Sequence, residues 1–150
     1  MDTIDRKKFI KQCGFACLGV LGTSILVQGC TSSKQINAPL RNNQLQVKLS
    51  SFAISGKDNS SQYKRYVVVQ NEQLNYPIVV YRNGAEDYTA LLLRCSHQYN
   101  ELNVNGELVS CSAHGSEFDS KGSVVNGPAD TPLRSFPITK DNQYLYIQLA

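Results

Sequence analysis

Two stretches decide how this chain reads: Leu91-Leu92-Leu93-Arg94-Cys95-Ser96-His97, and Leu108-Val109-Ser110-Cys111-Ser112-Ala113-His114-Gly115-Ser116. In each, an apolar strand-like run delivers one Cys and then one His to a loop. The chain holds only two His, and both fall inside this paired pattern. Two unrelated cysteines and two core histidines therefore explain it poorly. Thiolate and imidazole are donors suited to zinc or iron. Between the stretches, Asn105-Gly106 links Leu102-Asn103-Val104 to Leu108-Val109. Asn-Gly between apolar runs signals a hairpin, since a type I′ turn needs positive φ at both central residues. A hairpin there brings both Cys/His pairs to one end of a sheet.

Working outward, the body of the chain reads as strands. Leu45-Gln46-Val47-Lys48-Leu49 alternates, while Tyr66-Val67-Val68-Val69 and Ile78-Val79-Val80-Tyr81 are β-branched and aromatic. Asn83-Gly84 marks a second hairpin leading to Tyr88-Thr89-Ala90-Leu91-Leu92-Leu93. Further strands are expected over 123–125, 133–138 and 144–149. No long helical pattern follows residue 30, so the fold class is all-β, a small sandwich or barrel. Residues 31–44 are polar and lack apolar periodicity, which reads as a tether, and the folded domain is expected over 45–150.

The N-terminus reads as an address. Residues 1–29 set Arg6, Lys7, Lys8 and Lys11 against Asp2 and Asp5, so they supply +2 of the formal net charge of +3. The remainder is near neutral, which argues against nucleic-acid binding, where a basic face is needed to neutralise phosphates. An apolar run from Cys13 to Val27 follows the basic stretch, the layout of an export signal. At ~1.5 Å per residue it is short for a hydrocarbon core of about 30 Å. Cys13 and Cys17 within it read as small hydrophobes. Asp5-Arg6-Lys7-Lys8-Phe9-Ile10-Lys11 resembles the twin-arginine export motif, with Arg-Lys in place of the Arg pair. Val27-Gln28-Gly29-Cys30 resembles a bacterial lipobox, which implies a lipidated Cys30 that anchors the body to a membrane. The alternative is an uncleaved N-terminal anchor helix. Both place the body outside the cytoplasm, on the periplasmic side of a bacterial membrane.

Zinc is the first candidate for the paired motif, since two Cys and two His can fill a tetrahedral site. Common zinc fingers and ribbons, however, group Cys with Cys and His with His, whereas each loop here mixes one of each. Residues 95–137 resemble the Rieske family, and Cys111-Ser112-Ala113-His114-Gly115-Ser116-Glu117-Phe118-Asp119 is the most specific part. Gly122-Ser123-Val124, Gly127-Pro128-Ala129 and Pro132-Leu133 are similar to the following strand and the proline-containing loop that covers the cluster. The resemblance implies a Rieske-type antiparallel β-sandwich with a cluster-binding subdomain and a 2Fe-2S cluster. Cys95 and Cys111 would ligate one iron, and His97 and His114 the other. It also implies that the Ser116 hydroxyl bonds a cluster sulfide, and that Gly127 and Pro128 belong to the covering loop. Phe118 stands where high-potential members carry a tyrosine, and Asn100 and Ala113 stand where those members carry a disulfide. Glu86-Asp87 and Asp119 read as turn carboxylates, Lys64-Arg65 as a solvated strand edge, and Gly115 and Gly127 as devices for tight turns near a cofactor.

The function implied is one-electron transfer between a redox donor and an acceptor protein or quinol, within or serving a respiratory quinol-oxidising chain. The alternatives are the small Rieske subunit of an exported oxidase similar to arsenite oxidase, and a zinc-stabilised lipoprotein binding module. A Rieske oxygenase is not expected, since the stretch up to Ala150 holds no mononuclear-iron catalytic domain. Rieske centres span roughly −150 to +300 mV, and hydrogen bonds to sulfur raise the value. Lacking the tyrosine hydroxyl and the loop disulfide, this centre is expected in the middle or lower part of that span. Potentiometric redox titration checks it, and a value at the upper extreme contradicts it.

Overall fold

Ile78-Val79-Val80-Tyr81 is the hub of the architecture, because every one of these side chains is buried. A continuous apolar run of this kind marks a strand covered on both faces. The computed structural model describes residues 35–54 and 62–149, so the expected signal over 1–29 and the lipobox Cys30 lie outside the described residues. The described strands are β1 (Ile36–Asn37), β2 (Leu40–Arg41), β3 (Gln44–Lys48), β4 (Ala53–Ile54), β5 (Gln62–Tyr63), β6 (Tyr66–Gln70), β7 (Ile78–Arg82) and β8 (Tyr88–Leu92), then β9 (Asn103–Asn105), β10 (Leu108–Ser110), β11 (Glu117–Phe118), β12 (Val124–Asn126), β13 (Ser135–Phe136), β14 (Ile138–Lys140) and β15 (Tyr144–Gln148). Among the described residues no helix is long and apolar enough to cross a membrane.

A central sheet in the order β1-β6-β7-β8-β13 is flanked by a base sheet, β14-β15-β3-β2, and by a smaller sheet, β12-β11-β10-β9. Alternation along the central strands divides their side chains between two cores. Val67, Val69, Ile78, Val80 and Ala90 pack with Leu45, Val47, Leu145 and Ile147 of the base sheet. Val68, Val79, Tyr81, Leu91 and Leu93 pack instead with Val109, Phe118, Cys95 and Cys111. The all-β sandwich expected from the sequence is the architecture found, with a smaller sheet packed over the core that holds both cysteines.

Local details correct the sequence reading. The folded part begins before Leu45: β1 pairs with β6 in parallel, Ile36 opposite Val69, and Ala38 is buried. Residues 36–44 are thus part of the fold rather than a tether, and the sheet is not wholly antiparallel. The overlooked signal is Asn42-Asn43, which joins Arg41 to its partner Gln44 with φ of 49° and 61°. Two positive φ values on asparagines are the mark of a type I′ hairpin. Asn83-Gly84 does not make such a turn. Arg82 pairs with Tyr88, and the N–H groups of Asn83 and Gly84 both donate to the Asp87 carbonyl, at 2.8 and 3.2 Å, which closes a longer loop. At the other expected hairpin, Asn105 pairs with Leu108, and the turn residues are Gly106, with φ +64°, and Glu107. Finally, the single strand expected over 133–138 is two, β13 on the central sheet and β14 on the base sheet. Pro137 lies between them and has no N–H to continue a ladder.

Gly122 fastens the smaller sheet to the centre. Its φ is +87°, and a Cβ there would lie 2.9 Å from Leu91 Cδ2 and 3.3 Å from Leu133 Cβ. Its carbonyl accepts the Leu133 N–H at 2.8 Å. Only glycine meets both demands without strain.

Tyr81 carries a polar atom into the second core, and its hydroxyl is buried without a hydrogen-bond partner. Burial, and then the nearby Tyr66, Glu107 and Asp119, raise its pKa well above the ordinary tyrosine value. The hydroxyl therefore stays protonated in the folded state at pH values where the unfolded chain ionises. Its contribution is constant below the unfolded pKa of about 10 and is lost as pH rises beyond it. Tyr81→Phe is expected to leave stability at neutral pH unchanged or raise it by about 1 kcal/mol, since no bond is lost. It should also make the loss of stability at alkaline pH shallower. Urea unfolding at neutral pH and above about pH 10 measures both effects.

Candidate metal centre

The two Cys/His segments fold into the same loop. Arg94 bridges to Glu101, the Cys95 N–H donates to the Asn100 carbonyl at 2.8 Å, and the Tyr99 N–H donates to the Cys95 carbonyl at 2.9 Å. In the second loop Ser110 pairs with Glu117, the Cys111 N–H donates to the Ser116 carbonyl at 2.8 Å, and the Gly115 N–H donates to the Cys111 carbonyl at 2.9 Å. Position by position, counted from each Cys, the backbone bonds coincide. The fourth residue after each Cys takes positive φ, 60° at Tyr99 and 78° at Gly115. Glycine does this freely, whereas a tyrosine gives up roughly 1–2 kcal/mol to do so. The loops differ in where the histidine falls, two residues after Cys95 but three after Cys111.

This geometry collects the side chains named from the sequence. Cys95 and Cys111 are both buried and free of disulfides. Burial alone pushes the Cys95 thiol up, but four donors reverse it: the His97 N–H, the Cys111 thiol, the Gln98 N–H and the Ser116 hydroxyl. The net result is a pKa below the ordinary thiol value. The rings of His97 and His114 meet edge to face with centroids 5.1 Å apart. His97 Nδ1 is buried with no hydrogen-bond partner, whereas His114 is exposed. A buried ring nitrogen without a partner is unfavourable unless something absent from the protein itself binds it.

Ser116 is fully buried. Its hydroxyl oxygen accepts the Ala129 N–H at 3.1 Å and turns its own proton toward the Cys95 sulfur. This bond ties the loop over 127–132 to the centre. A second tie is the Ser96 hydroxyl, which donates to the Thr131 carbonyl at 2.7 Å. Gly127 and Pro128, read from the sequence as part of this covering loop, are exposed residues leading into Ala129. Gly115 has the left-handed conformation expected near a cofactor, and Gly127 does not. Phe118 is wholly buried beside Val109 in the core that holds both cysteines, and it offers no hydroxyl. The sequence reading missed Asn126, whose amide donates to the Gly115 carbonyl at 3.1 Å, and Tyr99. The signal for Tyr99 was its position, four after a Cys, where the second loop has glycine. Asp119 behaves as the expected turn carboxylate, accepting the N–H groups of Lys121 and Ser123 at 2.9 and 2.8 Å.

These features fit a two-iron centre. The donors sort into a sulfur pair and a nitrogen pair. The Cys111 thiol lies within hydrogen-bond reach of the Cys95 sulfur, and the two imidazoles meet each other. A lone tetrahedral zinc needs four donors about one point. Two irons bridged by sulfides need two pairs.

Comparison with known proteins agrees. A family model for the Rieske 2Fe-2S domain matches residues 56–137. The chain belongs to the Rieske family. Among curated relatives it is 30% identical over 86 residues to the iron-sulfur subunit TsaM1 of the toluene-4-sulfonate monooxygenase system of Comamonas testosteroni, a match covering 51% of this chain and 25% of that protein. It is 29% identical over 72 residues to cytochrome b6-f complex iron-sulfur subunit 2 of Nostoc sp., covering 47% of this chain and 40% of that protein. The chain thus spans well under half of the length of either relative. Among solved structures, the plasma-membrane Rieske protein PetC3 from Synechocystis aligns with a TM-score of 0.48 and 23% identity, over 55% of this chain and 85% of that one. A Rieske domain holds a 2Fe-2S cluster, and such a cluster passes single electrons.

In this Rieske domain, Ser116→Ala removes the hydroxyl donor at Cys95 and leaves the Ala129 N–H without its acceptor. Hydrogen bonds to sulfur favour the reduced state, so the midpoint potential is expected to fall, on the order of 50 mV for one bond of about 1 kcal/mol. Protein-film voltammetry of the wild type and the variant measures the shift.

Proposed function

We propose that this chain is a one-electron carrier on the periplasmic side of a bacterial membrane, within or serving a respiratory quinol-oxidising chain. In this reading Cys95 and Cys111 hold one iron as thiolates, and His97 and His114 hold the other through ring nitrogens. The observation that carries it is the pair of equivalent loops, which set two buried sulfurs side by side and two imidazoles edge to face. The cluster supplies the redox change, since replacing two thiolates by neutral imidazoles makes an added electron less costly.

The protein's own residues set the conditions. Buried Cys95 and Cys111 keep the sulfur side dry, and the N–H groups of His97 and Gln98 offset negative charge there. The exposed His114 gives a donor or acceptor, protein or quinol, a route of approach. Anchoring through a lipidated Cys30, after export directed by residues 1–29, would keep the domain within reach of membrane partners.

A second reading is favoured by the likeness to a monooxygenase iron-sulfur subunit. Here the domain delivers electrons to the catalytic part of an oxidoreductase, an exported oxidase included. Quinol-dependent reduction of the centre in isolated membranes supports the first reading. Reduction only by a soluble reductase supports the second.

Purified full-length protein reduced with dithionite is expected to show a Rieske-type paramagnetic resonance signal. Cys111→Ser should abolish it, whereas Ser112→Ala, at an exposed position in the same loop, should retain it. Material that remains free of iron and sulfide after anaerobic reconstitution overturns the proposal. In fractionated cells the chain should sediment with membranes, and Cys30→Ala should release it. Membrane association unchanged by that substitution contradicts the lipid anchor.

A further inference from the structure

Two arginines line one cleft beside the first loop. Beyond the end of β8 the chain turns tightly, the Arg94 N–H donating to the Leu92 carbonyl at 2.8 Å, and Arg94 enters the first loop as an exposed residue. Ser135 pairs with Leu91, so Arg134 stands opposite Leu92, whose N–H donates to the Arg134 carbonyl at 2.9 Å. What brings Arg134 and Arg94 together is a shared cleft at this end of β8. Both line a cleft of about 280 Å³ whose other walls include Ser96, Tyr99 and Thr131.

Among the described residues the cleft arginines have no ion-pair partner. No Asp or Glu lines the cleft. The ion pairs among the described residues are Arg65 with Glu107 and Lys140 with Glu86, so neither cleft arginine is neutralised there. Glu101, across the bridge from Arg94, makes no ion pair with it. Like charges on neighbouring strands repel, and an anion between them relieves the repulsion.

Both guanidinium groups are held in place. That of Arg94 lies 4.2 Å over the Tyr99 ring and 5.9 Å from that of Tyr76. That of Arg134 lies 4.8 Å over Phe136 and donates to the Leu149 carbonyl at 3.2 Å. Stacking limits the rotamer freedom lost on binding while leaving in-plane N–H groups for a ligand. The strained conformation of Tyr99 thereby acquires a use, since it sets the ring beneath Arg94.

We propose that this cleft is an anion site that takes a carboxylate or phosphoryl group between Arg94 and Arg134. Planar guanidinium groups match both anions through paired hydrogen bonds. The anion comes either from a free small molecule or from an acidic side chain of a redox partner. Ser96, in the cleft wall, lies between Cys95 and His97, so a bound negative charge sits close to the redox centre and opposes its reduction.

The test uses the oxidised full-length holoprotein, titrated by calorimetry at low ionic strength with inorganic phosphate, with glutarate and with a short peptide of glutamates. One saturable site is expected, weakened about tenfold or more in Arg94→Gln and in Arg134→Gln, as loss of a charged hydrogen bond implies. Saturating ligand should lower the midpoint potential of the wild type and not that of Arg134→Gln. Visible absorption of the cluster reports folding. Should Arg94→Gln lose the cluster, Arg134→Gln, outside both loops, carries the test. Binding of phosphate or glutarate at least as tight as that of the peptide identifies a free anion, and binding of the peptide alone identifies a partner's side chain; either supports the site. Absence of saturable binding by all three, or binding and potential shifts equal in the wild type and Arg134→Gln, overturns it.

Discussion

Two sulfur atoms buried side by side are the constraint to which the rest of the molecule conforms. A thiolate is poorly solvated away from water, so burying one costs free energy unless donors replace the lost water. Cys95 meets that need locally, from the N–H groups of the two residues that follow its neighbour Ser96 and from the Ser116 hydroxyl. The loop shape exists to aim those groups. Its bridge, its paired backbone bonds and its left-handed fourth residue all keep the chain curled around the sulfur. The apolar floor of Val109, Phe118, Leu91 and Leu133 keeps water from competing for the same donors.

Equivalent loops with unequal histidine positions give the centre two different ends. His97 falls where its ring is partly covered, with Nδ1 wholly shielded, whereas His114, one position later, is exposed. A site of this kind is closed at the sulfurs and open at one imidazole. The buried sulfurs rest on the apolar floor, and His114 presents a polar edge to solvent. Ser116 and Ser96 fasten the loop over 127–132 against the centre from two directions.

Much of this was legible in the sequence, for reasons specific to particular residues. Both His lie in the paired motif, so the four donors stood out without any knowledge of the fold. The alternation around Val47 and the β-branched, aromatic runs around Val68 and Val80 named the strands, because such residues suit a half-buried or doubly covered strand. What stayed hidden depended on partners distant in sequence. Ile36 and Asn37 form a strand only because β6 offers its edge, and so short a segment has no period to read. Asn42-Asn43 turned where Asn83-Gly84 did not, since the loop length between paired strands, not the dipeptide, selects the turn. The likeness of Tyr99 to Gly115 is conformational and leaves no trace in residue type. Arg94 and Arg134 line one cleft only in the folded chain, and nothing in their sequence spacing announces it.

The alternation of the central strands has a wider implication. Odd residues of β6 and even residues of β7 fill the core above the base sheet, and their immediate neighbours fill the core that houses the thiols. Neither filling borrows side chains from the other, yet both hang on the same backbone ladder. A change of chemistry at the tip, or the departure of its metal, is therefore felt on one side of a partition whose opposite side stays packed. Side chains at the thiol end can thus be exchanged without removing any that fill the core above the base sheet.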